Sequence, residues 1–190
     1  MDDYSQARRA MVDSQLRPEG VTDPGVLAAM ASVPREEHVP ATARATAYVD
    51  RAVPLGDGRA MMPPAAIGRL LSELAPRPGE RVLVVASAGG YAAALLRAIG
   101  CQVSEFDGLE LAKAGKDFDL LLIDGAAEEV PAGLLSRVAP HGRIGVALAD
   151  RGVTRLAIGT VAQGRPAFRT IVDADVGLIP GLQRARAFAF

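Results

Sequence analysis

One cysteine, Cys101, stands in a chain of 190 residues, so neither an intramolecular disulfide nor a multi-cysteine metal site can form. A reducing compartment is consistent with that, and a lone cysteine reads first as a small buried apolar residue. Excess charge of one sign is lacking as well. Lys plus Arg number 21 against 22 Asp plus Glu, a net charge of -1. Such a balance gives no general field for phosphate backbones or anionic lipid, which argues against nucleic-acid and membrane partners. No apolar run approaches the ~20 residues of a membrane span. The opening Met1-Asp2-Asp3-Tyr4-Ser5-Gln6 is acidic and polar where a secretory signal would be basic and then apolar. A cytoplasmic location is expected. His38 and His141 are the only histidines, and neither has a Ser or Cys nucleophile motif beside it. Both read as structural, and no metal site is expected.

What is present is apolar residues in quantity, 49% of the chain, enough for one domain with a real core. Residues 1–64 read as a helical and loop extension, and 65–190 as a sheet core. The extension holds a helix around Arg8 to Leu16 and a second opening at Thr22-Asp23-Pro24, where a side-chain oxygen can cap an orphan amide and proline presets φ. Pro34 ends it. Ala41 to Pro64 is loop-rich, with Pro54, Gly56, Gly58, Pro63 and Pro64, and is long enough to suggest function.

Ile67, Leu70, Leu71 and Leu74 then form a helical stripe closed by Pro76 and Pro78-Gly79. Val82-Leu83-Val84-Val85 is the continuous aliphatic run of a strand covered on both faces. Gly89-Gly90 punctuates it, and a helix from Tyr91 to Ile99 ends at Gly100, where positive φ is favoured. A strand follows from Gln102 to Asp107, then a short helical piece from Leu109 to Ala114, then a strand from Phe118 to Asp124. Pro131 can open another helix with Leu134, Leu135 and Val138 inward and Pro140-His141-Gly142 as its exit turn. Ile144, Val146 and Leu148 alternate as a strand. The rest reads as antiparallel strands: Val153 to Val161, a turn at Gln163-Gly164-Arg165-Pro166, Ala167 to Val172, and a run ending Phe188-Ala189-Phe190. The predicted fold is α/β: a Rossmann-like sheet, mostly parallel with an antiparallel C-terminal edge, and helices on both faces. Ligands on such sheets bind at the carboxyl ends of the strands.

Met11-Val12-Asp13-Ser14-Gln15-Leu16 and Val33-Pro34-Arg35-Glu36 together resemble the opening of the protein-L-isoaspartate O-methyltransferases. The similarity continues in order through Ala47-Tyr48-Val49-Asp50, Pro54-Leu55-Gly56, Pro78-Gly79-Glu80-Arg81-Val82-Leu83, Gly90-Tyr91 and Phe118-Asp119. It resumes at Val130-Pro131, Pro140-His141-Gly142-Arg143 and Ile179-Pro180-Gly181. Any one of these is common in α/β proteins, and their shared order carries the resemblance. It implies a methyltransferase-type sheet, S-adenosylmethionine as cofactor, no metal, and as partners damaged proteins whose isoaspartyl carboxylates are methylated for repair. Oligomeric state is left open.

The resemblance also implies where cofactor and substrate would lie. The loop after the first core strand, normally glycine-rich so that its backbone can approach the cofactor, reads Ala86-Ser87-Ala88-Gly89-Gly90-Tyr91. Ala86 and Ala88 replace glycines, and at positive φ an alanine costs roughly 1 kcal/mol or more. Asp107, seventeen positions after Gly90, matches the acid whose carboxylate accepts from both ribose hydroxyls, or is a solvated strand-end aspartate. Glu105 is a weaker substitute. Ten residues separate Asp107 from Phe118, near the minimum for a crossover, where the family carries a longer insert that contacts adenine. Met62 stands at a serine position that helps place the substrate carboxylate, and a thioether cannot donate a hydrogen bond. Arg59 is the residue here that could hold an anionic substrate, or else is an exposed surface arginine. Asp124 either faces a bound ligand or caps the loop that follows it. A carboxylate is already nucleophilic and a sulfonium already activated, so proximity can carry much of the rate. The alternative is a cofactor-free, catalytically impaired member acting as a binding or regulatory module. A nicotinamide-dependent oxidoreductase would need G-x-G-x-x-G after the first strand, and the loop does not supply it.

Overall fold

The computed structural model describes residues 3–56, 58–86, 88–106, 109, 114–162 and 165–184. Helix α1 spans Asp3–Met11, opening before the expected Arg8, and runs into a wider π-type turn at Val12–Leu16. Met11, Val12 and Leu16 are buried. Helix α2, Pro24–Ser32, starts as its sequence dictates: Asp23 Oδ1 accepts the Val26 N–H at 2.9 Å and Pro24 fills the first turn. Val33, forced extended by Pro34, ends it. The loop-rich stretch contains two short 3-10 turns, Arg35–His38 and Ala41–Thr46, and a small hairpin of β1, Val53–Pro54, with β2, Ala60–Met61.

Helix α3, Pro64–Leu74, buries Ile67, Leu70, Leu71 and Leu74 on one stripe, each worth roughly 1.5–3 kcal/mol against exposure. Strand β3, Arg81–Val85, and helix α4, Tyr91–Ile99, form the expected strand–loop–helix unit, with Gly100 at φ +99 as the stop. Then come β4, Gln102–Phe106, and β5, Phe118–Ala127, which runs beyond the expected Asp124. A single helical turn α5, Ala132–Leu135, leads to β6, Val138–Asp150, β7, Val153–Ala162, and β8, Arg165–Asp173.

The sheet order is β4-β3-β5-β6-β7-β8, parallel from β4 to β6 and antiparallel beyond. Alternate residues face opposite layers. Val82, Val84, Leu120 and Leu122 pack with α2, α3 and α4, whereas Leu83, Val85, Leu121 and Ile123 pack with Leu134, Leu135, Ile179 and Leu182. Among the described residues the second face is covered by the α5 turn, Leu109 and Ala114 of the β4–β5 crossover, and the segment after β8. That segment is tied to β5: Ala126 N–H donates to Gly177 O at 2.9 Å and Ile179 N–H to Ala126 O at 2.8 Å.

The expected helix from Pro131 through Val138 is corrected. Leu134 and Leu135 are buried in a single turn, but Val138 already opens β6 opposite Phe118. Pro140-His141-Gly142 is no exit turn but a bulge inside β6, between the pairs Phe118–Val138 and Leu120–Arg143. His141 takes φ +67 there, and a Cβ on Gly142 would lie 2.5 Å from Val138 Cγ1. Most of the Leu109 to Ala114 piece, the Gln163-Gly164 turn and the run ending at Phe190 lie outside the described residues. Among the described residues no helix is long and apolar enough to cross a membrane.

Candidate functional site

The parallel register of β3 and β5 pairs Val85 with Ile123, which sets Ala86 and Asp124 side by side at the strands' carboxyl ends. Leaving β3, the chain turns at once. Ala86 adopts φ +53, so the strain foreseen for an alanine in place of glycine is present at this position. Gly89 and Gly90 follow at φ +68 and +75 and lead into α4, whose N-terminus has no side-chain cap. Ala86 and Ala88 are both buried.

Asp124 does not cap the loop that follows it. Its Oδ2 accepts the Ala88 N–H at 2.9 Å, so it caps the loop of the neighbouring strand. The carboxyl is 4% exposed, and burial pushes its pKa up from 3.8 to about 6. The Ala88 N–H, Arg35 and Arg59 oppose that rise, while Glu105 adds to it. Arg59, half-buried, lines with Ala60, Ala86, Asp124 and Gly177 a cavity of about 10 Å³, the room of roughly one water molecule. Arg59, Ala86 and Asp124 are therefore brought together.

Met62 is not at this surface. Its side chain is 1% exposed within the core, and only its backbone oxygen takes part, accepting from Arg35 Nη2. Arg35 is fully buried; its Nε–H donates to Ala47 O at 2.8 Å and its guanidinium carbon lies 4.8 Å from the Tyr91 ring centroid. Tyr91, one residue past Gly90, is thus a floor of the site rather than a wall. Burial lowers the Arg35 pKa, with Tyr91 and Asp124 offsetting part of the loss.

The turn Arg35–His38 lies directly against the loop. His38 Nδ1 is 2.7 Å from Gly89 O, and because a carbonyl can only accept, Nδ1 carries the proton. The His38 backbone oxygen occupies the place beside Gly89 where a Cβ would be 2.3 Å away, so only glycine fits. Glu105 pairs with Arg97 at 2.8 Å, and its Oε1 would be 3.2 Å from a Cβ on Gly90. Ser87 and Asp107 lie outside the described residues. Arg35 and His38 were not singled out for the site by sequence; Arg35 stood in a quoted motif, while nothing local to His38 signals a partner 51 residues away. Among the described residues no group of three or more His, Cys, Asp or Glu could hold a metal.

The model of the protein-L-isoaspartate(D-aspartate) O-methyltransferase family matches residues 6–110, more than half the chain. The chain belongs to that family. A protein-L-isoaspartate O-methyltransferase of Methylorubrum extorquens is 31% identical over 95% of this chain and 90% of its own length. One of Aeropyrum pernix is 49% identical over 50% of this chain and 36% of its own. Among solved structures, one described as a protein-L-isoaspartate O-methyltransferase from Plasmodium falciparum in complex with S-adenosyl-L-homocysteine superimposes with a TM-score of 0.73 at 15% identity, covering 94% of this chain and 98% of its own. At that identity it shows the fold, and the expected methyltransferase sheet is the one observed.

Proposed function

We propose that the protein is an S-adenosylmethionine-dependent protein-L-isoaspartate O-methyltransferase that methylates isoaspartyl carboxylates of damaged proteins in the cytoplasm. The observation that carries this reading is family likeness along nearly the whole chain, with one relative of that name covering 95% of it. The site residues fit the amino-acid end of the cofactor. The left-handed Gly89-Gly90 pair puts no side chain at the end of the loop, and the uncapped N-terminus of α4 offers backbone N–H groups to a carboxylate. In this reading the loop from Ala86 to Tyr91 holds that end, and Asp107 accepts from the ribose hydroxyls.

When bound, S-adenosylmethionine supplies a methyl group activated by its sulfonium. Arg59, which lines the cavity beside Ala86 and Asp124, holds the anionic substrate carboxylate beside the loop. Met62, buried, contributes no hydrogen bond to it, so orientation and proximity carry the acceleration. The cofactor-free binding role is not favoured, since full-length relatives carry the methyltransferase name.

The test is transfer of labelled methyl groups from S-adenosylmethionine to an isoaspartyl peptide, with the aspartyl peptide as control. Base-labile incorporation specific to the isoaspartyl peptide is expected. Incorporation no higher than with heat-killed protein overturns the reading.

A further inference from the structure

Two side chains from distant parts of the chain grip the Ala86–Gly90 loop. From β5, Asp124 takes the Ala88 N–H at 2.9 Å. From the N-terminal segment, the turn Arg35–His38 brings the His38 imidazole to Gly89 O at 2.7 Å. These bonds bracket the Ala88–Gly89 peptide, one holding the N–H of the peptide before it and one the carbonyl of the peptide after it, and so tie down both of its neighbours. We propose that Asp124 and His38 are positioning residues that clamp this loop, and that the clamp sets the affinity of the site for the aminocarboxyl end of the cofactor. The proposal rests on the reading of the site as one for S-adenosylmethionine.

Three observations support the clamp. The loop opens on Ala86 in a left-handed conformation that an alanine resists, so its shape needs support from outside. The supporting carboxylate is almost wholly buried, a costly place for a charge that only structure would not demand. It is faced by Arg35 of the 3-10 turn, Arg59 after β1 and Glu105 of β4, so it sits where the loop, the N-terminal segment and the sheet meet. The His38 side adds a close backbone approach: its carbonyl oxygen leaves no space for any side chain on Gly89.

The test compares full-length wild type, Asp124→Ala, Asp124→Asn, His38→Ala and His38→Asn. Hydrogen exchange of the Ala88 amide is read in the ligand-free protein, and binding of S-adenosylhomocysteine by calorimetry. Loss of one hydrogen bond corresponds to about a tenfold change. Asp124→Ala is expected to speed Ala88 exchange about tenfold relative to core amides of β3 and to weaken the probe by a similar factor. Asp124→Asn, whose side-chain oxygen can accept the same bond, restores both. His38→Ala weakens the probe, and His38→Asn, with a donor in place of Nδ1–H, recovers it. Ala88 exchange unchanged in Asp124→Ala overturns the clamp, as does failure of Asp124→Asn to restore it. Wild type that takes up no probe overturns the cofactor reading instead, and Ala88 exchange then decides the clamp alone.

Discussion

Burial raises the Asp124 carboxyl to about 6, and the Ala88 N–H, Arg35 and Arg59 pull it back only in part. A folded-state value above the unfolded 3.8 means that folding binds a proton between about pH 4 and pH 6. The stability this group contributes is complete below that window and is lost as pH rises through about 6. A difference of this size corresponds to about 3 kcal/mol. Asp124→Asn, neutral at every pH and able to keep the Ala88 bond, should therefore be more stable than wild type at pH 7.5 by up to about that amount. Its urea midpoint should also vary less between pH 4 and 6. Equal midpoints at pH 7.5 would show that the carboxylate bears no such cost. At this scale the sequence was partly legible. Ala86 and Ala88 were visible as side chains in a loop that wants none, but that Ala86 and not Ala88 takes positive φ is a fact of the turn. The partner of Asp124 was hidden because it lies 36 residues earlier and becomes a neighbour only through the β3–β5 register.

Elements are held to one another by a small number of polar staples, of which Tyr48 is the centre of one. Its hydroxyl donates to Glu36 and accepts from Arg8 Nε of α1 at 2.8 Å and from the Arg35 N–H at 3.2 Å. Burial and the bond to Glu36 push the phenol up to about 12, so it stays protonated throughout the working range of pH. Tyr48→Phe leaves Arg8, Glu36 and the Arg35 N–H short of a partner. A loss of about 1–3 kcal/mol in chemical denaturation is expected, and a change within experimental error would show that water replaces the hydroxyl without cost. The same scale shows where sequence patterns suffice. Helix α4 was bounded correctly because Gly90 and Gly100 both stand at left-handed turns. The piece after Pro131 was misjudged because Leu134, Leu135 and Val138 fit one helical face as well as they fit a turn followed by a strand. The deciding feature, His141 at positive φ inside β6, has no signature in a non-glycine residue.

At the scale of the whole molecule, one apolar cluster joins Met11, Leu16 and Met30 of the N-terminal segment to Leu70 of α3, Leu96 of α4, and Leu120 and Leu122 of β5. On that ground we propose that the chain unfolds as one domain, with residues 1–64 an integral layer rather than an appendage. Thermal unfolding followed by far-ultraviolet circular dichroism and by tyrosine fluorescence should give coincident single transitions. Two separated transitions would divide the extension from the core. The mostly parallel sheet with its antiparallel edge was legible from aliphatic runs alternating with helical stripes. The seating of the segment after β8 on the second face was not, because it depends on backbone bonds from Gly177 and Ile179 to β5. The bond between Ala88 and Asp124 has a consequence for synthesis of the chain. A nascent polypeptide that has emerged only as far as β4 already contains the whole Ala86–Gly90 loop and His38, but not the carboxylate that takes the Ala88 N–H. The loop therefore cannot be finished where it is made: it waits for β5 to be translated and to slot beside β3, and the site is completed from the ribosome's later output.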